Sequence, residues 1–326
     1  MEALFHPAKE DNTVVPDFFL PGTAKAFPVQ INKFKGKRGS KMTDENLNIK
    51  QQEELKKLEE TIDFSSIPIT DDFMFGYVMS DPERCKTFLE QIMQLKIDHV
   101  EYLEKQKTID LAVDARSIRM DIYVDDGKTI YDCEMQTTSD KNLPKRTRYY
   151  QGQIDMNIIS KGDDFKKLKK SFVIFICTFD PFGKGKYIYS FENMCKEDLS
   201  IHLDDGAYKI FINTKGKSGN VSDDFVELMD YFNDPDTVSS SKNPLIKELD
   251  DAVIEARTNK KWRHDYMTMI YYGNEKYREG LERGELKRSL EIYEALISGG
   301  MSPEKAQKIT KLTDEELEEA YTKKVI

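Results

Sequence analysis

The sequence predicts an α/β domain in which a helix, three strands, a second helix and a buried strand follow one another, with a helical region C-terminal to them. Three observations predict this. Apolar residues recur at helical spacing at Phe88, Leu89, Ile92, Met93 and Leu95. The period then changes to two over residues 108–136. The run 171–179 (SFVIFICTF) is almost continuously apolar, as a strand covered on both faces is.

Residues 1–41 stand apart. They carry Pro7, Pro16, Pro21 and Pro28, show no helical period and end in KFKGKRGSK (33–41), with five basic residues and no acid. That composition reads as a disordered extension outside the functional domain. Residues 42–67 read as a charged helical lead-in, 68–220 as the α/β domain and 221–326 as the helical region.

Within the domain, Thr70 or Asp71 is placed to cap a short helix that turns Phe73, Phe75 and Val78 inward. Ser80-Asp81-Pro82-Glu83 reads as the next helix start, with a Ser cap, proline in the first turn and an acid three residues after the Ser. Strands are expected at 108–115, 119–124 and 129–136, the last two joined by Asp125-Asp126-Gly127-Lys128, a hairpin signal. Pro144 opens a helix to about residue 160, a start that proline's fixed φ favours. Shorter strands follow at 186–191 and 208–213. Beyond 220, Pro244 to Leu286 reads as one helical region interrupted near Gly273. A helix over 287–298, one begun at Ser302-Pro303-Glu304 and one capped by Thr313 follow.

Composition excludes several classes of protein. The 326 residues are 39% hydrophobic and 33% charged, with a mean hydropathy of −0.63. No run approaches the ~18 apolar residues of a spanning helix, so a soluble, cytoplasmic protein without membrane contact is expected. Four scattered cysteines without a CxxC, and four histidines without HxxxH, do not make a disulfide scaffold or a structural zinc site. A net charge of −10 argues against coating nucleic acid by bulk charge, yet leaves room for a local basic patch. Lys141, Lys145, Arg146 and Arg148 form one cluster, and Lys166, Lys167, Lys169 and Lys170 another. Gly183-Lys184-Gly185-Lys186 lacks the spacing of a nucleotide-binding phosphate loop.

The hairpin carries the chemistry. Strand residues two apart share a face, so Asp132, Glu134 and Gln136 project together. Across the turn, Asp121 falls opposite Glu134 if the loop holds four residues, and opposite Asp132 if it is tighter. Either register brings Asp121 and Glu134 onto one face. Paired carboxylates repel unless a cation sits between them, and a hard divalent ion with oxygen ligands is the natural partner. Ordinary solvent-facing acids on an edge hairpin are the competing reading.

Asp121, twelve intervening residues and Glu134-Met135-Gln136 resemble the D…(D/E)xK signature of PD-(D/E)XK nucleases. The closer resemblance is to the bacterial Rpn family, recombination-promoting nucleases also labelled transposases. It is carried by ITDDFMFGYVMSDPE (69–83), RMDIYV (119–124), YDCEMQ (131–136), NLPKRTRYYQGQID (142–155), KGDDFKKLKKSFVIFICTFDPFGKG (161–185) and KIFINTKG (209–216). The resemblance implies a restriction-endonuclease-like αβββαβ core and metal-dependent endonucleolytic cleavage of DNA, linked to recombination or transposition. It implies Asp121 and Glu134 as metal ligands, the backbone carbonyl of Met135 as a third oxygen, and Gln136 in the place of the signature lysine. The cofactor implied is Mg²⁺, or another divalent cation such as Mn²⁺ or Ca²⁺. Glutamine hydrogen-bonds water or phosphate but brings no charge, and Gly76 stands where many members carry a lysine. Arg146, Tyr150 and Gln153 lie along one face of the following helix, and Asp72 is an accessory candidate from the first helices. A nuclease-fold protein without activity, acting as a DNA-binding or protein-interaction module, is the alternative, and an RNA-directed nuclease a third reading. A homodimer through the helical C-terminal region is the expected partner arrangement beside DNA.

Overall fold

The structure, a computed structural model, describes residues 44–97, 99–100, 102–109 and 118–322. The extension expected over 1–41 lies outside them, as do residues 110–115 of the strand expected at 108–115. The described chain divides into a sheet unit, residues 57–266, and a helical unit, residues 44–56 with 267–322.

After helix α1 (Asp44–Thr61), the sheet unit runs α2 (Asp72–Val78), α3 (Pro82–Met93), β1 (Tyr102–Ile109), β2 (Ile118–Asp125), β3 (Thr129–Gln136) and α4 (Leu143–Ile158). It continues through β4 (Lys170–Cys177), β5 (Ile188–Phe191), β6 (Ala207–Asn213), α5 (Asp223–Asn233) and α6 (Pro244–Thr258). The α-β-β-β-α-β order read from the sequence is present, and the fold is of the restriction-endonuclease-like class. Among the described residues the sheet has six strands in the order β1-β2-β3-β4-β6-β5. β1, β2 and β3 pair antiparallel, β3–β4 and β4–β6 pair parallel, and β5 closes the edge antiparallel to β6.

Three local expectations are corrected. The first strand begins at Tyr102, six residues before the expected start at 108, and is described to Ile109. Among the described residues it lies at the edge of the sheet. The cap of α3 is Asp81, whose carboxylate accepts the Arg84 N–H at 2.8 Å. The Ser80 hydroxyl instead donates to the Tyr77 carbonyl at 2.6 Å. The helical break falls at Asn259, between α6 and α7 (Lys260–Ser298), so Gly273 and residues 287–298 all lie inside one helix. The Asn259 side chain caps the new helix by accepting the Trp262 N–H at 3.0 Å.

The other caps follow from the sequence. Asp71 closes α2 by accepting the N–H groups of Phe73 and Met74. In the helical unit, Thr313 and Glu316 exchange hydrogen bonds at the start of α9 (Asp314–Thr322), the reciprocal pattern of a capping box. That unit packs Leu290 and Tyr293 of α7, Ala306 of α8 (Pro303–Thr310), Leu312 and Ala320 into its own cluster.

The core of the sheet unit explains why the site is held firmly. α4 lays Tyr150 and Ile154 against Val173, Phe175 and Cys177 of β4 and Phe211 of β6. α2 and α3 bury Phe75, Val78, Phe88, Leu89 and Ile92 completely. Each such side chain contributes roughly 1.5–3 kcal/mol. Trp262 is a packing anchor, stacked on Tyr266 and close to Phe73.

Parallel pairing has one further consequence. Gln136 stands beside Cys177, and Cys177 beside Asn213. The C-terminal ends of β3, β4 and β6 therefore share one edge of the sheet.

Candidate active site on the β2–β3 hairpin

The ladder between β2 and β3 runs from Asp125↔Ile130 to Ile122↔Cys133. Four residues lie between Asp125 and Ile130, and one further step sets Asp121 opposite Glu134. This is the wider of the two registers the sequence allows. Asp126 and Gly127 make the tight part of the turn. The Asp126 carboxylate accepts the N–H groups of Lys128 and Thr129 at 2.9 and 2.6 Å, and Gly127 takes φ +87°.

At Asp121 and Glu134, side chains take over from backbone pairing. The Asp121 N–H donates to Glu134 Oε1 at 2.9 Å, and the Met135 N–H donates to Asp121 Oδ2 at 3.0 Å. Both carboxylates are nearly enclosed, 7% and 2% exposed. Asp132 is fully buried on the same face, and neither of its carboxylate oxygens has a hydrogen-bond partner. Burial, and then the negative Asp121, hold the Asp132 carboxyl well above the usual carboxylate range. Burial and then Asp132 do the same to Glu134, with the Asp121 N–H and Arg146 opposing.

Positive charge reaches this face from α4. Arg146 Nη1 donates to Gln136 Oε1 at 2.8 Å, Nη2 donates to the Tyr150 hydroxyl at 3.2 Å, and the guanidinium stands 3.9 Å from Glu134. It also lies over the rings of Tyr150 and Phe175. The Gln136 amide donates to the Thr138 carbonyl at 2.6 Å, which fixes its orientation. Burial pushes the Tyr150 hydroxyl far up, so it stays protonated.

Asp121, Glu134, Met135, Gln136, Arg146 and Tyr150 are therefore contiguous. Gln153, one turn further along α4, is buried with its side-chain carbonyl unpartnered. Asp72 stands in a different group: at the first turn of α2 it accepts the Phe73 N–H at 2.9 Å, beside the buried Asp71 and near Tyr266. Sequence reasoning put Asp132 on the right face and assigned it no part. Its period-two spacing from Glu134 was the available signal, but its isolation from donors was not readable.

The chemistry of the donor set suits a hard cation. Among the described residues, no group of three or more His, Cys, Asp or Glu side chains is arranged to hold a metal ion. Asp121 and Glu134 are a pair, and an ion that keeps several waters needs few protein ligands. Asp132 stands buried on the same face, its carboxyl held toward the neutral form by burial.

Residues 69–227, just under half of the chain, match the family described as PD-(D/E)XK nuclease family transposase. No curated protein and no solved structure matches the chain significantly. Among the described residues, no helix is long and apolar enough to cross a membrane.

Proposed function

We propose, on the premise that residues 69–227 belong to the PD-(D/E)XK nuclease family transposases, that the protein is a metal-dependent DNA endonuclease serving recombination or transposition. The observation that carries this reading is the cross-strand bonding in which the Glu134 carboxylate accepts the Asp121 N–H and the Asp121 carboxylate accepts the Met135 N–H. Nucleases of this superfamily generally use divalent metals. Here Asp121, Glu134 and the Met135 carbonyl would hold the ion, with Mg²⁺ or Mn²⁺ supporting cleavage. A bound divalent ion supplies charge neutralisation at the phosphate and makes water a better nucleophile.

The chain's own residues do the rest. The Glu134 carboxylate is held by the Asp121 N–H and the Asp121 carboxylate by the Met135 N–H. Gln136, oriented by Thr138 and Arg146, offers hydrogen bonds to water or phosphate. Arg146 brings the positive charge that a lysine at position 136 would otherwise supply, and it is oriented by Tyr150. A second copy, docked through the helical C-terminal region, would supply the second site that cutting both strands requires.

The test is nicking of supercoiled plasmid by wild type and Glu134→Ala in Mg²⁺, Mn²⁺, Ca²⁺ and EDTA. Nicking that needs both a divalent ion and Glu134 is the expected result. Binding without cutting in every ion would favour the second reading, a nuclease-fold DNA-binding module. The neutral Gln136 is the observation behind that alternative.

A further inference from the structure

The geometry points to a docking surface for the phosphate backbone of duplex DNA, formed by Lys184, Lys186, Lys215 and Lys217 on the loops after β4 and β6. It rests on the nuclease reading above and adds where the duplex flanking the cut would lie.

Topology puts these loops on the edge that carries Gln136. The backbone ladder continues past the strands there: the Thr178 N–H donates to the Gln136 carbonyl at 3.0 Å, and the Thr214 N–H to the Cys177 carbonyl at 3.0 Å. Neighbouring strands are about 4.8 Å apart, so two to three strand spacings place the loops roughly 10–15 Å from Gln136. At about 3.4 Å per base pair, that is some three to four base pairs along a duplex.

The two loops are knitted into one rigid platform. The Lys217 N–H donates to the Gly185 carbonyl at 2.8 Å, and the Tyr187 N–H to the Ser218 carbonyl at 2.9 Å. The buried Asn213 side chain donates to the Lys186 carbonyl at 3.0 Å and accepts the Lys215 N–H at 3.0 Å. Gly216 is required for this approach, because a Cβ there would stand 2.6 Å from the Tyr187 Cα. Asp180 turns inward, accepting the N–H groups of Phe182, Gly183 and Gly185 and the Tyr189 hydroxyl.

What remains facing solvent is positive. All four lysines are exposed, and no ion pair among the described residues involves them. By contrast, Lys167 and Lys169, at the opposite edge of the sheet, are paired with Asp163 and Asp125. In a chain of net charge −10, such a group is a local attractor for polyanions. The aromatic residues of the loops are turned into packing: Phe182 meets Tyr189 and Phe211, and Tyr187 meets Phe225. Cationic heads without stacking platforms fit a duplex backbone rather than splayed single-strand bases.

The experiment is fluorescence anisotropy of a labelled duplex in EDTA across a salt series. It compares the wild type, a variant with Lys184, Lys186, Lys215 and Lys217 all changed to Gln, and a control with Lys128, Lys161 and Lys166 changed to Gln. The expected result is a salt slope shallower by about 3 to 4 in the first variant and unaltered in the control. Lys184→Glu and Lys217→Glu, each alone, should lower affinity if the fourfold variant misfolds. A wild-type slope retained by the fourfold variant, with plasmid nicking and duplex binding intact in the wild type, overturns the surface alone. Tighter binding of single-stranded than of duplex DNA, lost in the same variant, also overturns it in favour of a single-strand platform. Wild type that binds no duplex at any salt overturns both this surface and the reading it rests on.

Discussion

Arg146 and Gln136 form one unit: the guanidinium donates to the Gln136 side-chain carbonyl at 2.8 Å while standing 3.9 Å from Glu134. A neutral residue in the signature's last position is thus joined to a cation from the next helix. Arg146→Ala should therefore cost more than Gln136→Ala. We expect the first to lower the nicking rate by about 10²- to 10³-fold, the scale for loss of one charge-stabilising donor. Gln136→Ala, which leaves the cation in place, should cost clearly less. Equal losses in a plasmid-nicking time course would remove Arg146 from that part.

The isolation of Asp132 makes a prediction about stability. A fully buried carboxylate without donors is costly. Asp132→Leu, which removes the unsatisfied polar atoms, should raise metal-free stability by about 1–3 kcal/mol in urea unfolding. A divalent ion should stabilise the wild type by mass action, and Asp121→Ala should lose that gain. An unfolding midpoint of Asp121→Ala that rises with Mn²⁺ as much as the wild type's would remove Asp121 from the ion's ligands.

Asp71 offers a pH prediction. Burial, then the neighbouring Asp72, push its carboxyl up to about 7, although Phe73 N–H, Met74 N–H and the Tyr266 hydroxyl all donate to it. An unfolded Asp titrates near about 3.9. Between those values the folded state binds the proton that the unfolded state has lost, so this contribution to stability falls as pH rises from about 4 to about 7. Asp71→Asn keeps the cap and the Tyr266 contact and should flatten that part of the pH–stability profile. An unchanged slope in urea midpoints across this range would contradict the assignment.

The start of α3 separates two neighbouring residues. Asp81→Ala should cost about 1 kcal/mol, because it leaves the Arg84 N–H without its cap. Ser80→Ala removes one exposed hydroxyl bond to Tyr77 and should cost less. Chemical denaturation of the two variants decides between them.

The sequence by itself determined what neighbouring residues encode. The order of helices and strands, the acids sharing one face of β3 and the caps at Asp71 and Thr313 all follow from periodicity and short-range hydrogen bonding. Even there it started β1 six residues late and set near Gly273 a helix break that falls at Asn259. Tertiary structure alone decided which faces meet. It chose the register that opposes Asp121 to Glu134, laid Arg146 on Gln136, sealed Asp132 away from donors and joined Tyr266 to Asp71 across 195 residues. It also knitted the loops after β4 and β6 together at Gly216. These contacts depend on how an entire helix or sheet face is buried, and spacing along the chain sets only which side chains share that face.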